Sequence, residues 1–196
     1  MKRLTLFFSA LFLLTQLSAQ HESIFGRARV VGAFGAPLME VGLNNDLSTS
    51  VGGGFGLVIN SVFLGAYGMG SLNFEQLIET GDVEQLDMGH GGLWVGFTIS
   101  PHSVLHLYGS GRIGWGAVNV SLRDHTLHYD DLDKIFVATP EIGLEMNITR
   151  WMRVVGSIGY RYVEGVSENR GYSNEDFRGA VVGLGLRLGW FGNRRY

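Results

Sequence analysis

The 196-residue chain contains no cysteine. That excludes a disulfide framework, a thiolate metal centre and a lipid anchor on a cysteine thiol. Lysine is nearly missing too: it occurs only as Lys2 and Lys134, while arginine supplies the other 13 of the 15 basic residues. A water-facing surface is ordinarily rich in lysine and glutamate, so this chain has little of the usual soluble coat. Net charge is -3, which removes the electrostatic basis for binding nucleic acid. No apolar run reaches the about 20 residues of a spanning helix. The longest, Leu4 to Leu14, follows Lys2 and Arg3 and leads to small or polar residues ending at Ala19. That is the pattern of a secretory signal peptide, with cleavage expected before Gln20. Residues 1–19 are therefore read as signal peptide and 20–196 as a single domain.

What the chain has in excess is glycine, 30 residues of 196, about twice the ordinary share of ~7%. From Arg27 onward the pattern has period two, broken by turn chemistry. It predicts eight strands, at 27–43, 50–59, 62–73, 87–99, 104–120, 135–148, 151–163 and 177–191. Several exceed the usual soluble length of about 5–6 residues and suit a tilted membrane strand of about 9–11 residues with overhang. The connectors alternate. "NS", "SPHS" and "TR" join strands two to three, four to five and six to seven. "NNDLSTS", "FEQLIETGDVEQL", "SLRDHTLHYDDLDK" and "EGVSENRGYSNED" make the other joins. Tight turns at one end and long polar loops at the other are the asymmetry of an outer-membrane barrel. The fold class expected is all-β, an eight-stranded antiparallel up-and-down transmembrane β-barrel.

Alternate residues of a strand point to opposite faces. In the last strand Ala180, Val182, Leu184, Leu186, Leu188 and Trp190 share one face, and Gly179, Val181, Gly183, Gly185, Arg187 and Gly189 share the other. The preceding strands repeat this. Arg153, Ser157, Gly159 and Arg161 oppose Met152, Val154, Ile158, Tyr160 and Tyr162; Thr139, Glu141, Gly143 and Glu145 oppose Phe136, Ile142, Leu144 and Met146. His106, Tyr108, Ser110 and Arg112 oppose Leu105, Leu107, Ile113 and Trp115. Glycine is a weak strand former, so a glycine-rich polar row is expected to line a narrow, crowded interior. Energetics agree: an arginine facing lipid at mid-membrane costs about 2–4 kcal/mol. An interior ion-pair network of Arg112, Glu141, Glu145, Arg153, Arg161 and Arg187 is thus expected, with Trp115, Tyr160, Tyr162 and Trp190 as interface aromatics. Strand one fits worst. Its parity slips around "GAPLMEV", leaving Glu40 outward unless Pro37 marks a bulge.

The segments "GAFGAPLMEVG", "VGGGFGLVIN", "FLGAYGMG", "PEIGLEMNITRWMRVVGSIGYRYV" and "GLGLRLGWF" cover most of the mature chain. In these it resembles the small eight-stranded outer-membrane barrels of Gram-negative bacteria, and more narrowly an uncharacterised Bacteroidetes-type group of them. The resemblance implies insertion by the outer-membrane assembly machinery, which reads a C-terminal strand ending in an aromatic. Phe191 or Tyr196 would supply that signal here.

Other motifs carry less. "GSGRIG" (109–114) matches the dinucleotide fingerprint in letters, but "WGAVNVSL" continues a strand where the fingerprint needs a helix. "RDHTLHYDD" places His125 and His128 beside Asp130, an imidazole and carboxylate mixture that suits a zinc-class ion. A loop holds ligands poorly, so no metal site is assigned. His106 and Ser110 share a face, but a base and nucleophile without an orienting third group make a weak catalytic case. No cofactor and no catalytic residue is expected. The reading is a monomeric barrel contacting outer-membrane lipids and presenting four loops to extracellular partners, in a structural or surface-interaction role. The alternatives are an envelope lipid-modifying enzyme and a narrow pore. A soluble lipocalin-like barrel would need apolar residues inward, against the lysine shortage.

Overall fold

The computed structural model of the chain describes residues 29–43, 49–71, 85–121, 133–166 and 173–192. The expected signal peptide lies outside the described residues. Eight strands form one closed antiparallel barrel in simple sequence order. They are β1 Val30–Gly42, β2 Ser50–Ile59, β3 Val62–Ser71, β4 Gln85–Ile99, β5 Leu105–Ser121, β6 Asp133–Asn147, β7 Met152–Glu164 and β8 Gly179–Trp190. β8 pairs back onto β1 and closes the sheet. In hydrocarbon no water is available to exposed N–H and C=O groups, and closure pairs them all without an edge.

The tight turns lie at one end. Asn60 adopts φ 57° in the β2–β3 turn, the left-handed conformation that a two-residue hairpin needs and asparagine tolerates. At the other end of the barrel a single helical turn, Asn174–Phe177, precedes β8. Sequence periodicity starts β8 at Phe177, two residues early. Asp176 accepts a hydrogen bond from the Ser173 backbone N–H (2.7 Å) and reverses the chain locally before the strand begins.

The faces separate by chemistry. Leu184 and Leu188 are 58% and 38% exposed, whereas Arg153 and Arg187 are 8% and 2% exposed. The exposed belt includes Phe55, Leu64, Leu93, Phe97, Trp115, Ile142 and Ile158. The barrel is therefore inside-out, with apolar side chains on the outer wall and charges within.

Strand β1 departs from expectation. Its even residues Phe34, Ala36 and Glu40 are all buried, and Met39 and Val41 are exposed. The β1–β8 register runs from Ala33↔Trp190 to Gly42↔Val181 without a shift, so Pro37 marks no bulge and Glu40 faces inward. The β1–β2 ladder does shift, between Val30 and Gly32. The inward row of β1 is itself largely apolar, so hydrophobicity did not separate its two faces. Proline does leave a mark on the ladders. β1–β8 pairing passes from Gly35↔Leu188 to Leu38↔Gly185, skipping Pro37. β6–β7 pairing passes from Ala138↔Tyr162 to Glu141↔Gly159, skipping Pro140. Each proline lacks the N–H that a rung requires.

Glycine also proves less one-sided than the sequence reading holds. Gly68, Gly89, Gly111 and Gly156 lie in the outward rows, where a methyl group would meet nothing within 4 Å. The inward glycines are different. A Cβ on Gly54 would lie 3.0 Å from Cε3 of Trp94, and one on Gly56 would lie 2.9 Å from Cζ of Phe34. The edges of large rings come close over these bare positions. Gly54→Val should accordingly lower barrel stability by about 1–3 kcal/mol, the usual range for overpacking. Gly111→Val should leave it unchanged, as urea unfolding in lipid vesicles would read.

Candidate functional site

The interior is the only part of the described molecule where charge, aromatic rings and burial converge. Its lower part lies toward the turn end. Glu145 on β6 is fully buried and accepts from two guanidinium groups, Arg153 Nη1 on β7 and Arg187 Nη1 on β8, each at 2.9 Å. Strand pairing brings the triad together: Arg153 is opposite Arg187, and Glu145, opposite Val155, is the diagonal neighbour of Arg153 on the same face. Arg187 lies among four rings, with its Cζ 4.5 Å from the centroids of Phe63 and Tyr108, 4.9 Å from Phe34 and 5.2 Å from Trp94. The rings brace one another: Phe63 and Trp94 are 5.1 Å apart and edge-on, and Phe34 and Phe63 5.4 Å. Such cation–π contacts are worth about 2 kcal/mol or more when desolvated.

Higher in the barrel a second group forms around Glu40 and Glu141. Arg112 pairs with Glu40 and, at 3.4 Å, with Glu141. Arg161 reaches Glu40 at 3.1 Å and Ser50 at 3.4 Å. Glu141 also accepts from Tyr108 and Ser110, both at 2.5 Å, and from Ser157 at 3.0 Å. Tyr108 thereby touches both groups. Arg161 Nε donates to the carbonyl of Phe177 at 3.1 Å, tying this layer to the helical turn above. There Phe177 and Val166 pack with Met88, Val118, Ile135, Val137 and Val163 in an apolar cluster.

All six residues assigned to the interior from sequence are buried. The structure brings Arg153, Arg187 and Glu145 together, and separately Arg112, Arg161 and Glu141 about Glu40. Sequence reading missed Glu40, Ser50 and the ring box. Unbroken even parity from Gly32 to Gly42 would have found Glu40. Trp115, Tyr160 and Trp190 are exposed on the outer wall, and Tyr162 is half-buried with the Arg178 guanidinium 4.3 Å above its ring. Phe191 turns inward, stacked on Phe34 at 6.1 Å with the Arg153 guanidinium 3.8 Å from its centroid. Tyr196 and the loop residues His125, His128 and Asp130 lie outside the described residues. Among the described residues no three His, Asp or Glu side chains are grouped to hold a metal.

The catalytic possibility does not assemble from His106 and Ser110. His106 Nδ1 lies 3.1 Å from the Ser103 carbonyl oxygen, and its Nε2 has no hydrogen-bond partner. Ser110 instead donates to Glu141 and accepts from the Trp94 indole at 3.1 Å.

The chain superposes on neisserial surface protein A with a TM-score of 0.50 and 14% identity, covering 80% of this chain and 94% of that one. The fold is that of the small outer-membrane barrels. The attachment invasion locus protein Ail of Yersinia pestis is a further neighbour, with a TM-score of 0.43, 14% identity and coverage of 81% and 95%. No protein-family model matches the chain, and no curated protein matches it in sequence.

Removing one member of a buried ion group strands the others, at a cost of about 3–5 kcal/mol. Glu145→Gln should therefore destabilise the barrel by about that amount in urea titrations, a large share of a typical ~5–15 kcal/mol total. Glu175→Ala breaks an exposed pair with Arg178 and should change stability by less than about 1 kcal/mol.

Proposed function

We propose that this chain is an integral outer-membrane barrel whose filled interior makes it an anchor, with its four longer connectors carrying a surface-interaction or structural role in the envelope. The observation that carries this reading is the inversion of burial: Leu184 exposed at 58% beside Arg187 at 2%. A surface of that kind is stable only against hydrocarbon. The signal-peptide pattern of residues 1–19 supports export from the cell interior, and the assembly machinery would read Phe191 or Tyr196. The similar neisserial barrel is by name a surface protein, and a surface placement is proposed here too. The narrower kinship with a Bacteroidetes-type group rests on the framework segments quoted above.

Occlusion argues for anchoring over conduction. The lower interior is filled by the rings around Arg187, and the loop end by the cluster about Phe177. A monomer fits this reading because the interior ion pairs all form within one chain, and its contacts would be with outer-membrane lipid and with extracellular partners of the loops.

The reading is tested in two ways. The refolded protein should give no discrete conductance steps in planar bilayers; regular steps would make it a pore. Epitope tags inserted after Asn45 should be accessible on intact cells, and tags at Ser61 should not. Labelling of both only after lysis would overturn the proposed topology. Altered envelope lipid mass spectra on gene deletion would move the assignment to a lipid-modifying enzyme.

A further inference from the structure

Charge inside the barrel does not balance. Among the described residues Arg112, Arg153, Arg161 and Arg187 are buried against the carboxylates of Glu40, Glu141 and Glu145. Those carboxylates are fully engaged. Glu145 is shared by Arg153 and Arg187, and Glu40 by Arg112 and Arg161. Glu141 receives Tyr108 and Ser110 on one oxygen and Ser157 and Arg112 on the other. Three guanidinium nitrogens are left buried with no acceptor: Nε and Nη2 of Arg187 and Nε of Arg112. The rings around Arg187 offset its charge but offer no lone pair in the plane of its N–H groups.

Both arginines line one small cavity of about 20 Å³, together with Tyr108, Glu141, Ser157 and Gly185. A single water-sized particle needs roughly 10–15 Å³ of such space, so there is room for one occupant. A neutral molecule would accept the hydrogen bonds and leave the positive charge uncompensated. An anion does both, and buried charge is stable only when paired.

We propose that this cavity is a binding site for one small monovalent anion of the halide class, held by the free N–H groups of Arg112 and Arg187. The Glu141 carboxylate also borders the cavity, with its lone pairs turned toward four donors. Site size admits chloride or bromide and excludes sulfate and organic anions.

The test uses the intact barrel in detergent. Crystals grown in sodium bromide should show an anomalous peak in the cavity between the two guanidinium groups. Density without anomalous signal, which is water, or no density at all would overturn the proposal. In parallel, urea unfolding in vesicles is followed in sodium chloride and in sodium gluconate at equal ionic strength. Chloride at about ten times its dissociation constant should favour the folded state about tenfold; equal midpoints in the two salts would count against the site. Gly185→Ala adds a methyl at a residue lining the cavity, 3.3 Å from Leu38 Cδ2 and with neither arginine among its three nearest neighbours. It should abolish the chloride dependence, and a persisting dependence would place the anion elsewhere. Should that variant fail to fold, the bromide map of the unaltered protein decides alone.

Discussion

Everything in this barrel answers to one restriction: a guanidinium ion cannot be left against hydrocarbon. Four arginines lie in its strands and point inward, and each draws a carboxylate or a ring after it. Arg153 and Arg187 converge on Glu145, and Arg112 and Arg161 converge on Glu40. Once the charges are inside, the outer wall is free to be wholly apolar, and closure disposes of the sheet edges. The presence of only one lysine beyond residue 19 is the compositional side of the same fact. Arginine presents a planar fork that serves two partners at once, which a lysine ammonium does less well in a crowded space.

Space inside an eight-stranded barrel is scarce, and the rings and guanidinium groups fill it by leaning across neighbouring strands. That is why Phe34 and Trp94 lie over Gly56 and Gly54. Tyr108 links the two ionic groups, since it stands beside the Arg187 guanidinium and donates to Glu141. The interior is thus one connected polar and aromatic body.

Much of this is legible in the sequence. Strand limits to within about three residues, strand count, the outward rows of β5 to β8 and the inward arginines all follow from period two, because in those strands the two faces differ sharply in polarity. β1 was not legible. Phe34, Ala36 and Leu38 face a ring cluster rather than water, so its inner row looks like an outer one. The four-ring box was equally hidden, since Phe34, Phe63, Trp94 and Tyr108 come from four strands, and only the register brings them around Arg187. The outward glycines went unassigned for a further reason: a bare position on the lipid side needs no packing partner, so composition says nothing about which face it occupies. The helical turn before β8 was missed because a single turn has no periodicity to detect.

Two prolines give the wall an uneven seam. Pro37 leaves a gap in the ladder joining β8 to β1, and Pro140 leaves one in the ladder joining β7 to β6. The β7–β8 hairpin is therefore a panel bordered on both sides by interrupted stitching, while its own two strands pair from Met152↔Leu188 to Arg161↔Gly179 without a break. This panel also carries three of the four interior arginines. The hairpin that carries most of the interior positive charge is thus the one bordered by both interrupted ladders. Its guanidinium groups reach across those seams to the carboxylates of β1 and β6.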